Sequence, residues 1–137
     1  MVTITIDYRG ELRCQATHGP SKNQLTTDAP VDNQGKGAAF SPTDLVATAL
    51  GTCILTTMGI VAARHGWAID GSTATVVKEM VSDPVRRIGR LRVSVVMSQA
   101  LDERARTTLE RTAHTCPVHQ SLAPNVDVPI EFRWPAV

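Results

Sequence analysis

Three cysteines are the residues of this chain best suited to chemistry, and two of them, Cys53 and Cys116, occupy local settings that differ sharply. Cys53 falls inside Leu45 to Ala63, a run without formal charge, where burial disfavours a thiolate. Cys116 is followed by Pro117, which suits a first helical position and leaves backbone N–H groups facing the sulfur. Two such thiols brought together could perform dithiol redox chemistry. One attacks the O–O bond of a peroxide, and the sulfenic acid that results condenses with the other to a disulfide. Local electrostatics favours Cys116 as the attacking sulfur. For Cys53 to attack, a cation from another segment must reach it, and Arg13, Arg9 and Lys36 are the candidates. Arg13 leads because it projects from a strand where burial could orient it.

The same residues also fit plainer roles. Both cysteines could be small buried hydrophobes. Cys14 shares a strand face with Leu12 and Ala16, which points to a core position. His114, Cys116 and His119 offer three zinc donors, with Cys53 or His18 as a fourth, although no paired C-x2-C frame accompanies them.

The elements that must position these groups are legible in outline. Residues 2–8 and 11–18 read as strands joined at Arg9-Gly10, and a third strand covers 23–28. A linker rich in turn formers, residues 29–37, leads to Ser41-Pro42-Thr43-Asp44. There Ser41 can cap a helix, Pro42 can start it, and Asp44 complements its macrodipole. That helix should run to about Arg64-His65 and stop at Gly66, with Leu50, Cys53, Thr57 and Ile60 on one face and Val46 and Ala49 nearby. Residues 68–81 and 90–98 read as a strand pair, with an exposed basic stretch over 86–90. A helix over 102–115, a short helix from Pro117 and a last strand over 127–134 follow. The order βββ-α-ββ-α-α-β makes the chain an α+β protein, one domain over residues 1–137.

Composition narrows the function classes. The 137 residues are 42% hydrophobic but only 4% aromatic, a thin core for a solitary monomer, which favours a partner subunit. Net charge is +1, from 14 basic against 13 acidic residues, with no basic stripe, so nucleic acid is not expected. The charge-free run is long enough to span a membrane, but its threonines and glycines and its lack of aromatic anchors favour a buried core helix. An odd cysteine count and a strand-like start without signal-peptide features favour the cytoplasm.

The run Phe40-Ser41-Pro42-Thr43-Asp44-Leu45 through Gly51-Thr52-Cys53, with Cys116-Pro117 downstream, resembles the OsmC/Ohr family of osmotically inducible and organic hydroperoxide resistance proteins. Asp28-Ala29-Pro30 and Gly35-Lys36-Gly37 fit its linker. The resemblance implies an intertwined homodimer with swapped N-terminal strands, long central helices packed back to back and active sites at the subunit interface. It also implies a thiol peroxidase in which Cys53 attacks organic hydroperoxides or hydrogen peroxide and Cys116 resolves. An Arg supplied across the dimer, here Arg13, would hold Cys53 as a thiolate. An external dithiol, a lipoylated protein for some relatives, would restore the thiols, and no bound cofactor or metal is required. Where the family carries a Glu ten residues before the first cysteine, this chain has Thr43, with Asp44 next to it. A non-catalytic dimer binding a hydrophobic small molecule is the alternative of a different class.

Overall fold

The computed structural model describes residues 1–137, which form two compact units, Met1–Val46 and Ala47–Val137. In the first, β1 (Ile4–Gly10), β2 (Arg13–His18) and β3 (Gln24–Asp28) form an antiparallel sheet in sequence order. The β1–β2 turn lies at Glu11-Leu12 and not at Arg9-Gly10. Both turn residues have positive φ, 53° and 64°, the two-residue geometry whose twist matches that of the flanking strands. Leu12 is therefore a turn residue, and Cys14 is half-buried on its strand and not in a core. Register puts Ile4, Ile6, Tyr8, Cys14, Ala16 and Leu25 on one face of this sheet. Arg13 and Asp28 stand opposite each other across two strands.

Helix α1 (Pro42–His65) opens as its sequence demands. The Ser41 hydroxyl accepts the Asp44 N–H at 3.1 Å, and the Asp44 carboxylate accepts the Ser41 N–H at 2.9 Å. This is a reciprocal capping box, so Asp44 does more than complement the macrodipole. We expect Ser41→Ala to lower stability by about 1 kcal/mol in urea titration. At the far end Gly66, at φ +71°, lets the Trp67 N–H reach the Ala62 carbonyl at 2.9 Å, closing the helix.

The second unit holds β4 (Thr73–Val81), β5 (Arg87–Val96) and β6 (Ile130–Arg133). β4 and β5 are antiparallel, whereas β6 runs parallel to β5. A parallel neighbour needs a crossover, and α2 (Glu103–Ala113) and α3 (Pro117–Ser121) lie in it. The basic stretch expected to be a connection is strand from Arg87 onward. Its charges are met across the sheet, where Arg92 pairs with Glu79 and Arg90 reaches Asp127 at 2.8 Å. The core takes Leu50, Ile54 and Met58 from α1, Leu91, Val93 and Val95 from β5, and Leu109 from α2, all fully buried.

The buried stripe of α1 is Ala47, Leu50, Gly51, Ile54, Met58 and Ala62, rotated from the expected face, and Ile60 is exposed. A helix apolar on every side carries no periodic signal to orient it. Close approach chooses the face: a Cβ on Gly51 would meet the Val76 side chain of β4 at 3.0 Å. By length and composition α1 could cross a membrane, with a mean hydropathy of 1.9 over its most apolar window, of which 33% is buried.

Candidate functional site

Cys116 is placed by a change of direction between two helices. α2 ends at Ala113, and the carbonyl of His114 accepts the Gln120 side-chain amide at 2.9 Å, tying that turn to α3. At the other side of α2, Arg106 stacks over the Trp134 ring and the Trp134 indole donates to Glu110 at 2.8 Å. Cys116 is then the N-cap of α3, with Pro117 following, and its sulfur accepts the His119 N–H at 3.3 Å. It is 0% exposed.

Cys53 sits on the flank of α1's buried stripe, half-buried, with the Thr57 hydroxyl one turn on at 3.9 Å from its sulfur. The two cysteines, remote in sequence, come near enough for Cys53 to act on the ionisation of Cys116, and both are free thiols. Close approach of a half-exposed and a buried thiol is the geometry that oxidation to a disulfide requires.

The expectation that the helix start would make Cys116 an acidic thiol fails. Burial pushes its pKa above the ordinary 9.0, the hydrogen bond and charge of Cys53 add to the rise, and the N–H groups of His119 and Val118 only partly oppose it. Removal from water outweighs the helix start because α3 spans a single turn and a half and supplies few oriented amides. Cys116 is thus a neutral thiol near pH 7, able to donate its S–H to the Cys53 sulfur. The contribution of this group to stability is whole below pH 9.0 and is lost as pH rises through the raised value.

Of the three candidate cations, Arg9 hydrogen-bonds Gln15 and pairs with Asp7 at 3.9 Å, both exposed, and Lys36 pairs with exposed Glu11 at 3.7 Å. These are solvated pairs that carry little energy. Arg13 differs, because its guanidinium faces Asp28 at 3.8 Å and Asp28 is 1% exposed. The same Asp28 oxygen accepts the Ala38 N–H at 3.0 Å, while its other oxygen is buried without a partner. Arg13 and Asp28 belong to the first unit, Cys53 and Cys116 to the second. Thr43 has its hydroxyl 3.2 Å from that of Ser41.

The zinc alternative finds no donor cluster. The His114 and His119 rings lie edge to face at 6.0 Å, and no three His, Cys, Asp or Glu side chains gather anywhere in the chain. His18 instead meets the Ser21 hydroxyl at 2.6 Å, and His65 stacks on Trp67. A cavity of about 420 Å³ opens beyond α3, lined by His119, Leu122, Asn125, Val126 and Asp127 among others, and neither cysteine lines it. Sequence reasoning missed Asp28 as the partner of Arg13 and Thr57 as the partner of Cys53. Pairing β2 with β3 in register would have found the first, and i, i+4 spacing the second.

The profile of a family described as OsmC-like protein matches residues 35–131. A crystal structure from Psychrobacter arcticus 273-4, provisionally named an osmotic stress induced and detoxification response protein, is 44% identical. It covers 97% of this chain and 96% of its own, at a TM-score of 0.92. An organic hydroperoxide resistance protein OsmC of Legionella pneumophila shares 18% identity over 96% of each chain at a TM-score of 0.79. The organic hydroperoxide resistance protein OhrB of Bacillus subtilis shares 21% identity, covering 97% of this chain and 98% of that one, at 0.73. At those lower identities the likeness is one of fold. No protein of curated function matches the sequence.

Proposed function

The chain belongs to the OsmC-like protein family, and on that premise we propose that it defends against peroxide stress as a thiol-dependent peroxidase. Its substrates are organic hydroperoxides, with hydrogen peroxide as a smaller relative. The observation that carries this is the nearness of Cys53 to Cys116, two free thiols far apart in sequence of which one perturbs the other. The names of the Legionella and Bacillus proteins, both for organic hydroperoxide resistance, agree with it.

In the first step the Cys53 thiolate attacks the distal peroxide oxygen. The O–O bond breaks, Cys53 becomes a sulfenic acid, and the alkoxide leaves to take a proton as the alcohol. In the second, Cys116 attacks the Cys53 sulfur. The hydroxyl group departs with the Cys116 proton as water, and a disulfide remains. Cys116 arrives as a neutral thiol, so its proton is available for that departure. An external dithiol then returns both cysteines to thiols. Mass spectrometry after one equivalent of cumene hydroperoxide tests the cycle. A loss of two mass units with Cys53 and Cys116 joined supports it, and unchanged free thiols after minutes would leave a non-catalytic binder.

Arg13 is the cation we assign to Cys53, supplied from a second copy of the chain, because it alone of the three candidates is held by a buried carboxylate. Arg13→Met should slow thiol oxidation at pH 7 by about tenfold or more and shift the pH–rate profile upward. An unchanged profile in stopped flow would remove Arg13 from the mechanism. A homodimer fits the apolar face of the first sheet, where Ile4, Ile6, Tyr8 and Leu25 are 56%, 60%, 67% and 45% exposed. The protein is soluble on this view, and a partner subunit, not lipid, covers part of α1 while leaving the way to Cys53 open.

A further inference from the structure

The two sulfurs differ in access, and the difference decides how an oxidised site can be reopened. Resting on the two-cysteine cycle proposed above, we infer that the external thiol attacks the sulfur of Cys53 and expels Cys116. A thiolate breaks a disulfide by approaching the sulfur it attacks from the side opposite the leaving sulfur. Around Cys116 that approach is closed. The residue is 0% exposed, it caps α3, and its sulfur already faces the His119 N–H at 3.3 Å. Cys53 is half-buried on the flank of α1, beside the exposed Thr52 and Thr56, and so is the more open of the two cysteines.

Leaving-group ability runs the other way, since the buried Cys116 is the harder thiolate to form, and only the amides beside it limit that cost. Expelled Cys116 carries its new charge toward two backbone amides, those of His119 and Val118. Expelled Cys53 would have the Thr57 hydroxyl, at 3.9 Å, and the Arg13 guanidinium assigned to it above. Access therefore sets the direction, because no thiol reaches the Cys116 sulfur without first opening the fold. The thiolate RS⁻ bonds to the Cys53 sulfur, the Cys53–Cys116 bond breaks, and Cys116 departs as a thiolate that takes a proton from water. The second thiol of the dithiol, deprotonated, then attacks the R-bearing sulfur of the mixed disulfide. It closes the reductant's own disulfide and releases Cys53 as a thiolate.

Full-length protein oxidised with diamide tests this without any peroxide. The disulfide is exposed briefly to excess glutathione, quenched with acid, alkylated, and mapped by peptide mass spectrometry. Glutathione on Cys53 with alkylated Cys116 is the expected result. Glutathione on Cys116, or divided evenly, would overturn the inference and leave the peroxidase cycle standing. Failure of diamide to join the two cysteines would sink both. A second measurement avoids trapping. The Cys116→Ser and Cys53→Ser proteins are each loaded with thionitrobenzoate on the remaining site cysteine and released with dithiothreitol. Release from Cys53 should be at least about tenfold faster. Equal rates, or faster release from Cys116, would refute the assignment.

Discussion

Cys53→Ser should abolish peroxide turnover, dropping the rate by about 10³-fold or more to the uncatalysed background. A serine hydroxyl is not ionised near neutral pH and cannot break the O–O bond. The change removes only the difference between sulfur and oxygen at a half-buried position, so the helix should persist and circular dichroism should match wild type. Nothing near the site can substitute. Cys116 remains, but burial holds it as a neutral thiol with 0% exposure, so peroxide meets neither a thiolate nor an open path. Stopped-flow fluorescence with cumene hydroperoxide checks the result. Wild-type rates in this variant would exchange the roles of the two cysteines.

How far the sequence reveals this protein depends on whether a feature is local. The capping of α1 is a matter of four adjacent residues, and Ser41, Pro42 and Asp44 made it readable. Gly66 marked the end of the helix because only a positive φ closes it in that way. The order of elements followed from alternation and turn residues. What failed was non-local. Which face of α1 is buried depends on β4, through the contact of Gly51 with Val76, and a run without charges contains no hint of it. The ionisation of Cys116 was misjudged because the helix start is visible in the sequence whereas burial is not. The basic residues 86–89 read as a connection ahead of a strand over 90–98, whereas that strand starts at Arg87; the acids that meet its charges, Glu79 on β4 and Asp127 ahead of β6, are remote in sequence. The pairing of Cys53 with Cys116 was proposed from their chemistry and the family resemblance; spacing alone gave no contact.

Cys116→Ser separates the first oxidation from the rest of the cycle. The first step needs only Cys53 and its cation, so one equivalent of peroxide should be consumed at a rate within about threefold of wild type. The structure should tolerate the change, since serine is a preferred N-cap and its oxygen can accept the His119 N–H that the sulfur now accepts. The second step then has no thiol. Cys53 stops as the sulfenic acid, which dimedone traps with a mass increase, and further peroxide drives it to sulfinic and sulfonic acids. Wild-type protein should escape that fate, because on the proposed cycle Cys116 is near enough to Cys53 to close the disulfide before a second peroxide arrives. Turnover at the wild-type rate without Cys116 would mean the external dithiol reduces the sulfenic acid directly, and the contact between the sulfurs would then lose its catalytic meaning. Complete loss of the first oxidation would instead mean that the Cys116 S–H is needed when the O–O bond breaks, as the donor that holds Cys53 ready.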